Sequence, residues 1–251
     1  MTEAKIHLFR GGPLVALVGN PNCGKTALFN RLTGSHQKVA NYAGVTVERK
    51  EGSLSTPSGK TLRLLDLPGT YSMHPRSLDE RVTVDVLMGN AVGEKRPDLV
   101  VCVVDATNLR RNLRLVLAVK RTGIPCLVAL NMMDLAERRG LQIDPEALSR
   151  ELGLPVVRTV AVQGDGAQAL KQALDAADLW QRTSQHSESP AEPERDPRGD
   201  HEAVRAMLER LGLDQSAPHR FSDRIDRIVL HPVAGPALLA VVLFLMFQAV
   251  F

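Results

Sequence analysis

Cysteine is scarce in this chain, which limits the chemistry that the sequence can support. The three cysteines, Cys23, Cys102 and Cys126, are an odd number without metal-ligand spacing, and two of them lie inside apolar runs that predict buried strands. A reducing, cytosolic compartment fits this pattern best. The first residues also lack an apolar core followed by a small-residue cleavage site, so we expect no secretory signal and a cytoplasmic start.

An excess of charge of either sign is also lacking. Lys and Arg total 31 against 28 Asp and Glu, which leaves a net charge of +3, an ordinary value for a soluble globular protein. The most basic segment, Leu109–Arg121, has no interleaved aromatic residues, which favours a solvated helix face over an RNA site. We therefore expect no nucleic-acid partner.

One long apolar run is present, at residues 233–251, with Gln248 as its only strongly polar residue. A spanning helix needs about 20 apolar residues, so the run predicts a first transmembrane helix, truncated or just complete, with a buried soluble helix as the alternative. Arg220, Arg224 and Arg227 precede the run. An excess of arginine beside a span marks its cytoplasmic side.

The region from residue 14 to about residue 160 alternates short apolar runs with helical patterns. This alternation predicts an α/β fold with a mixed, mostly parallel sheet covered on both faces. Residues 47–54 and 60–66, joined by the turn-rich STPSG, predict an antiparallel hairpin at one edge of that sheet.

The sequence changes character after Trp180, which predicts four regions. Residues 1–180 form the α/β domain, and residues 181–200, rich in Ser, Pro and acidic residues, form a flexible linker. Residues 201–232 form a small helical module, because Val204, Met207 and Leu208 recur at helical spacing. Residues 233–251 form the transmembrane helix.

The strongest pattern is GNPNCGKT, which matches G-x-x-x-x-G-K-[ST] between a strand and a helix, as this phosphate-binding motif requires. Its backbone N–H groups point at phosphate oxygens, Lys25 supplies positive charge to the β and γ phosphates, and Thr26 offers a hydroxyl to Mg²⁺. The predicted phosphate loop comprises Gly19, Asn20, Pro21, Asn22, Cys23, Gly24, Lys25 and Thr26.

Two further segments are placed to meet the γ-phosphate. The D-x-x-G turn, formed by Asp66, Leu67, Pro68 and Gly69, would bring a carboxylate to the Mg²⁺ water shell and a glycine N–H to the phosphate, with a simple Pro-Gly turn as the alternative. In the Thr46 loop, residues 41–47, the Thr46 hydroxyl is the predicted second Mg²⁺ ligand.

The N-M-M-D turn, residues 131–134, resembles the guanine-reading N-K-x-D motif. A carboxylate at Asp134 can accept from the N1–H and N2 amine of guanine, whereas adenine offers no such donor pair. Met132 replaces the usual lysine, and Asn131 opens the motif. The alternative is an ordinary strand-to-helix turn in which Asp134 is the N-cap.

GNPNCGKT, NYAGVTVE, DLPGTYS, NMMD and IDRIVLHP running into an apolar helix together resemble the ferrous iron transport protein B family over nearly the whole chain. The resemblance implies a Ras-like P-loop GTPase domain, a helical domain acting on nucleotide affinity and a polytopic bacterial inner-membrane pore for Fe²⁺. It also implies GTP or GDP with Mg²⁺ as ligands, small accessory proteins as partners and a homo-oligomer, either trimer or dimer.

The resemblance assigns further roles to single residues. Asn22 would help to bind K⁺, which acts where other GTPases insert an arginine finger, although the sequence alone equally supports a turn residue. Thr70 stands where a water-orienting glutamine is usual, so we expect slow intrinsic hydrolysis, with water placed by backbone groups of Gly44, Val45 and Thr46. Val160 and Ala161 stand where the family commonly has Ser-Ala, and the Ala161 N–H is expected to reach guanine O6.

These observations predict a cytoplasmic GTPase attached to the bacterial inner membrane, with Asn22, Lys25, Thr46 and Gly69 as catalytic residues. GTP hydrolysis would gate or drive Fe²⁺ uptake. Two alternatives stay open from the sequence. One is a ribosome- or RNA-associated GTPase, and the other is a non-catalytic GTP-binding switch.

Overall fold

The computed structural model describes residues 12–34, 37–163, 165–176, 179–180, 197–213, 229–230, 232 and 234–250. The chain divides into two compact units, residues 1–214 and 215–251. The first unit contains the sheet and all the predicted phosphate and base motifs.

A seven-stranded sheet forms the centre of the first unit, in the order β2-β3-β4-β1-β5-β6-β7. The strands are β1 Leu14–Gly19, β2 Gln37–Asn41, β3 Glu48–Ser55, β4 Thr61–Asp66, β5 Leu99–Asp105, β6 Cys126–Asn131 and β7 Val156–Arg158. The pairs β2–β3 and β3–β4 are antiparallel, and the other four pairs are parallel. The predicted mixed, mostly parallel sheet is therefore confirmed.

Helices cover both faces of the sheet. They are α1 Lys25–Thr33, α2 Leu78–Met88, α3 Leu109–Arg121, α4 Met133–Arg138, α5 Pro145–Leu152, α6 Gln168–Asp175 and α7 Pro197–Arg210. The core has two layers, because successive side chains of a strand point to opposite faces. Ala16 belongs to the layer that includes residues of α2, α3 and α5, and Leu17 belongs to the layer that includes residues of α1 and α6.

The edge of the sheet differs from the prediction. The hairpin of β3 and β4 is present, but β2 pairs antiparallel with β3, so β3 is not the edge strand. No strand was predicted over Gln37–Asn41 because its residues are almost all exposed, and an exposed edge strand shows no alternation of apolar and polar positions.

Within the first unit, helix α7 packs against α3. Val204, Met207 and Leu208 are buried in the core. Arg121 of α3 donates two hydrogen bonds to Asp200 of α7, at 2.6 and 2.7 Å. The expectation of a solvated basic face on α3 is therefore wrong for Arg121, because a guanidinium held by a carboxylate of the next helix is not left to solvent.

The boundary of this helical region also differs from the prediction. Helix α7 begins at Pro197, earlier than the predicted start of the helical module at residue 201. Residues 181–196 of the predicted linker lie outside the described residues, as do Ile225 and Ile228 of the predicted module.

The second unit contains helix α8, Ala234–Val250, whose described side chains are mostly exposed. Within the residues that the structure describes, no helix combines the length and the apolar character needed to cross a membrane. The transmembrane helix over residues 233–251 stays a prediction.

Candidate nucleotide-binding site

The predicted phosphate and base motifs lie at one edge of the sheet. Strands β4, β1, β5, β6 and β7 run parallel as neighbours, so their carboxyl ends share that edge. The phosphate loop follows β1, the D-x-x-G turn follows β4, and the N-M-M-D turn follows β6. In open α/β sheets this edge is where ligands bind.

Close packing fixes the backbone of the phosphate loop. Gly24 has a φ of +82°, and a Cβ added there would lie 2.3 Å from Nδ2 of Asn131. A Cβ at Gly19 would lie 2.6 Å from Sγ of Cys23. Both positions therefore require glycine, for backbone conformation or for space.

The Cys23 side chain is a neutral filler beneath this loop. Cys23 is 1% exposed. Burial raises the pKa of its thiol to about 11, which outweighs the nearby positive charge of Lys25. The thiol is therefore protonated at neutral pH, which disfavours an oxidation-sensitive role, because the thiolate is the reactive form.

Three side chains at the start of α1 and the end of β4 converge. The Lys25 ammonium makes a short contact with Asp66 Oδ1, and the Thr26 hydroxyl donates to Asp66 Oδ2 at 3.2 Å. Lys25 and Asp66 are both buried. The carboxylate thus meets a positive charge and a hydroxyl at the N-terminal end of a helix.

An open cavity of about 560 Å³ surrounds these groups, within the size range of small-ligand sites. It is lined by Asn20, Pro21, Asn22, Gly24, Lys25, Thr26, Ala27, Val47, Glu48, Lys50, Asp66, Leu67, Pro68, Gly69 and Asp79. The structure therefore brings the D-x-x-G turn and most of the phosphate loop together around one space.

The D-x-x-G turn is anchored to the phosphate-loop strand. Leu67 N–H donates to the Leu17 carbonyl at 3.2 Å, and Thr70 N–H donates to the Gly19 carbonyl at 3.1 Å. Thr70 is 0% exposed, and its hydroxyl donates to the Ser72 carbonyl. Its side chain therefore faces inward and is not available to orient water in the cavity.

The Thr46 loop is folded back on itself. The Tyr42 N–H donates to the Val47 carbonyl at 3.0 Å, and the Tyr42 side chain is buried. Gly44 and Thr46 are exposed, and neither they nor Val45 belong to the lining of the cavity. Gly44, Val45 and Thr46 therefore lie outside the cavity lining, whereas Val47 at the end of the loop belongs to it.

Asn131 connects the base motifs to the phosphate loop. Its Nδ2 donates to the Cys23 carbonyl at 3.0 Å, and its Oδ1 accepts from Ala161 N–H at 3.1 Å. Asp134 is half-buried in the first turn of α4, and Met132 precedes that helix with a φ of +61°. The cavity lining includes none of the predicted base-contacting residues Asn131, Met132, Asp134 and Ala161.

The loop of residues 159–166 departs from the expected contact with O6. Val160 N–H donates to the Gly166 carbonyl at 2.9 Å, which closes the loop. The Ala161 N–H, expected to face guanine O6, donates to Asn131 instead. Hydrogen bonds from Arg31 of α1 reach the carbonyl oxygens of Ala161 and Val162.

Sequence reasoning missed Arg31, and it missed a contact behind the D-x-x-G turn. The Arg111 guanidinium of α3 lies 4.1 Å from the centre of the Tyr71 ring. The Asn20 side chain also donates to the Arg111 carbonyl at 3.4 Å. Neither arginine belongs to a motif, and only the three-dimensional arrangement brings them to the site.

Comparison with known proteins agrees with this geometry. A family model described as ferrous iron transport protein B matches residues 14–174. The chain belongs to the ferrous iron transport protein B family. A relative from Escherichia coli strain K12, the Fe(2+) transporter FeoB, is 52% identical over 166 residues. That match covers 64% of this chain and only 21% of the relative.

Solved FeoB structures share the fold. The cytosolic domain of T. maritima FeoB in its GMPPNP form is 30% identical, with a TM-score of 0.66, and the match covers 79% of this chain and 98% of that one. The FeoB G-domain from Methanococcus jannaschii is 40% identical, with a TM-score of 0.56, over 66% of this chain and 97% of that one. The first unit therefore has the fold of FeoB G-domains.

Proposed function

We propose that this chain binds guanine nucleotides and hydrolyses GTP at the cavity between the phosphate loop and the D-x-x-G turn. The observation that carries the proposal is the convergence of Lys25 and Thr26 on Asp66 beneath that cavity. The FeoB structures described as GDP and GMPPNP forms support it, since their fold is shared.

The donor set of the cavity fits Mg²⁺. The Thr26 hydroxyl and the Asp66 carboxylate face each other across 3.2 Å, and Mg²⁺ prefers oxygen ligands of this kind while keeping several waters. Thr26 would bind the ion directly, and Asp66 would hold its water shell. Bound Mg²⁺ would supply positive charge that offsets the negative charge of the phosphates.

The chain's own residues would divide the remaining work. Lys25 would move from Asp66 to the β and γ phosphates, and the Gly69 N–H would donate to the γ-phosphate. Thr46 would become the second Mg²⁺ ligand, which requires the Thr46 loop to move towards the cavity. Because Thr70 is buried, water would be placed by backbone groups of the Thr46 loop, and turnover would be slow without a partner.

Asn22 would hold K⁺ next to the phosphates. Asn22 lines the cavity, is exposed, and has a φ of +66°, a left-handed conformation that asparagine tolerates. Its amide oxygen is a suitable ligand for a monovalent cation. We expect faster GTP turnover in K⁺ than in Na⁺ buffer, and loss of that difference in Asn22→Ala. Equal turnover of the unaltered chain in both salts would refute the K⁺ site.

Selectivity for guanine would come from Asp134. A direct test measures the binding of GTP, ATP and xanthosine triphosphate by calorimetry. Asp134→Asn should lose affinity for GTP and gain it for the xanthine nucleotide, because xanthine offers a carbonyl where guanine has an amine. Unchanged preference for GTP in Asp134→Asn would refute this assignment.

The larger role would be control of Fe²⁺ uptake at the bacterial inner membrane. The curated relatives are named as Fe(2+) transporters, and the matching region is a fifth of their length. Residues 1–180 would form the G domain, the region from residue 181 to 232 a linker and helical regulatory module, and residues 233–251 the first membrane helix. A homo-oligomer and small accessory proteins would complete the assembly.

Iron uptake by cells that produce the whole transporter tests this role. Lys25→Ala should abolish GTP-dependent uptake, whereas Lys171→Ala should not, because Lys171 of α6 lies outside the cavity lining. Uptake that persists in Lys25→Ala would refute the coupling. An RNA-associated role is disfavoured, since Arg114 and Arg121 of the basic segment contact His201 and Asp200 of α7.

A further inference from the structure

Arg31 connects the phosphate-loop helix to the 159–166 loop. Its Nε donates to the Ala161 carbonyl at 3.2 Å, and one terminal nitrogen donates to the Val162 carbonyl at 3.2 Å. Helix α1 carries Lys25 at its start and Arg31 in its last turn. Because the guanidinium is planar and its donors are fixed relative to one another, it holds two successive carbonyl groups in one orientation.

The N–H groups of the same loop are not equivalent. The Ala161 N–H is engaged by Asn131 at 3.1 Å. The following N–H, that of Val162, makes no hydrogen bond to any residue that the structure describes. Val162 is 75% exposed, so this residue belongs to the accessible part of the loop.

Over residues 160–162 the loop offers no hydrogen-bonding side chain, whereas Thr159, Gln163 and Asp165 carry polar groups. Val160 and Ala161 carry no hydrogen-bonding side chain. The described residues of this loop are held by backbone hydrogen bonds among Val160, Gln163 and Gly166. Asn131 holds the loop on one side and Arg31 holds it on the other. Removing Arg31 takes away its contacts to the Ala161 and Val162 carbonyl groups, which are the two nearest the Val162 N–H.

We propose that Arg31 is a positioning residue for guanine recognition, which orients the 159–166 loop so that the Val162 N–H donates to O6 of the base. The inference rests on the proposed guanine-nucleotide site. Arg31 touches no nucleotide atom in this account and acts through the Ala161 and Val162 backbone. The Ala161 N–H has a structural role, since it is the partner of Asn131.

The test compares release of radiolabelled GDP and 6-thio-GDP from the full chain by rapid filtration. Sulfur at position 6 is a weak acceptor, but the analogue keeps the N1–H and amine that Asp134 would bind. In Arg31→Gln, we expect GDP release to be about fivefold faster, because two surface hydrogen bonds that order the loop are lost. Release of 6-thio-GDP should change by less than about twofold, since its bond to the loop is already weak.

Two variants control the experiment. Arg110→Gln removes an exposed arginine of α3 and should release GDP at the original rate. Arg31→Lys keeps the positive charge but loses the fixed pair of guanidinium donors, and should give an intermediate rate of GDP release. GDP release at the original rate in Arg31→Gln, or equal acceleration of both nucleotides, would overturn the proposal. An unaltered chain that binds neither nucleotide would instead refute the proposed function on which the inference rests.

Discussion

Asn131 donates a hydrogen bond from its side-chain amide to the Cys23 carbonyl oxygen at 3.0 Å, which joins the end of β6 to the phosphate loop. The side-chain amide oxygen of Asn131, Oδ1, accepts from Ala161 N–H at 3.1 Å and lies 3.5 Å from the Thr159 hydroxyl. Asn131 is 2% exposed. One buried side chain thus holds three segments of the proposed nucleotide site together.

Replacing this side chain should loosen the whole site. Asn131→Ala leaves the Cys23 carbonyl and the Ala161 N–H buried without partners, so we expect the free energy of unfolding to fall by about 2 kcal/mol. We also expect GDP to bind at least about tenfold more weakly, because the loops are no longer preorganised. Urea unfolding and calorimetry measure the two effects.

The matched control for this variant is Asn30→Ala, which removes an exposed asparagine of α1. Its stability and affinity should stay close to those of the unaltered chain. The connecting role of Asn131 would be refuted if Asn131→Ala unfolded at the same urea concentration as Asn30→Ala.

The Cys23 thiol should make stability depend on pH in the alkaline range. Burial raises its pKa from 9.0 to about 11, so the folded chain keeps a proton that the unfolded chain releases. The stabilisation is complete below about pH 9 and is lost as the pH rises towards about 11. Urea unfolding at several pH values should show a steeper decline in this window for the unaltered chain than for Cys23→Ala.

Chemical labelling gives a second measure of the same thiol. At pH 8 the native chain should resist alkylation at Cys23, and the urea-unfolded chain should react readily, since the thiolate is the reactive form. Mass spectrometry of the labelled peptides reads the difference. Rapid labelling of Cys23 in the native chain would contradict a buried, protonated filler.

The ion pair of Arg121 and Asp200 should hold α7 on α3. Asp200→Arg places two cations together and removes two short hydrogen bonds, so we expect the docking of Pro197–Arg210 to weaken by about 1 kcal/mol. Hydrogen exchange of the α7 amides should become faster. The exchange of both residues, Arg121→Asp with Asp200→Arg, should restore protection.

The double exchange distinguishes a specific pair from general damage. Equal protection of α7 in the unaltered chain and in Asp200→Arg would show that the buried contacts of Val204, Met207 and Leu208 alone hold the helix. The ion pair would then make no measurable contribution to the docking of α7, which is common for ion pairs at protein surfaces.

The sequence predicted those parts of the fold that bury continuous apolar runs. Strands β1, β4, β5 and β6 lie between two layers of helices, and such strands stand out from residue composition alone. Strand β2 was not predicted, because an exposed edge strand is held by backbone hydrogen bonds. Its side chains therefore need not alternate between apolar and polar types. The hairpin was recognised, but not the strand beyond it.

The site shows the same division. The phosphate loop and the D-x-x-G turn were predictable, because each motif is contiguous in sequence and follows a recognisable strand. Arg31 and Arg111 were not, since Arg31 contacts its partners from the last turn of α1 and Arg111 from the first turn of α3, each across a long separation in sequence. The hydrogen-bond partner of the Ala161 N–H could not be predicted from the sequence either. Whether this N–H donates to Asn131 or to a base depends on how two loops pack together.

Phosphate release from GTP with Mg²⁺ tests the central claim most directly, measured for the full chain, Lys25→Ala and the control Lys171→Ala. We predict hydrolysis of GTP but not of ATP, reduced at least about a hundredfold in Lys25→Ala and unchanged in Lys171→Ala, because Lys25 alone of the two lies in the cavity. Equal turnover in Lys25→Ala and the unaltered chain, or hydrolysis of ATP as fast as GTP, would contradict the account.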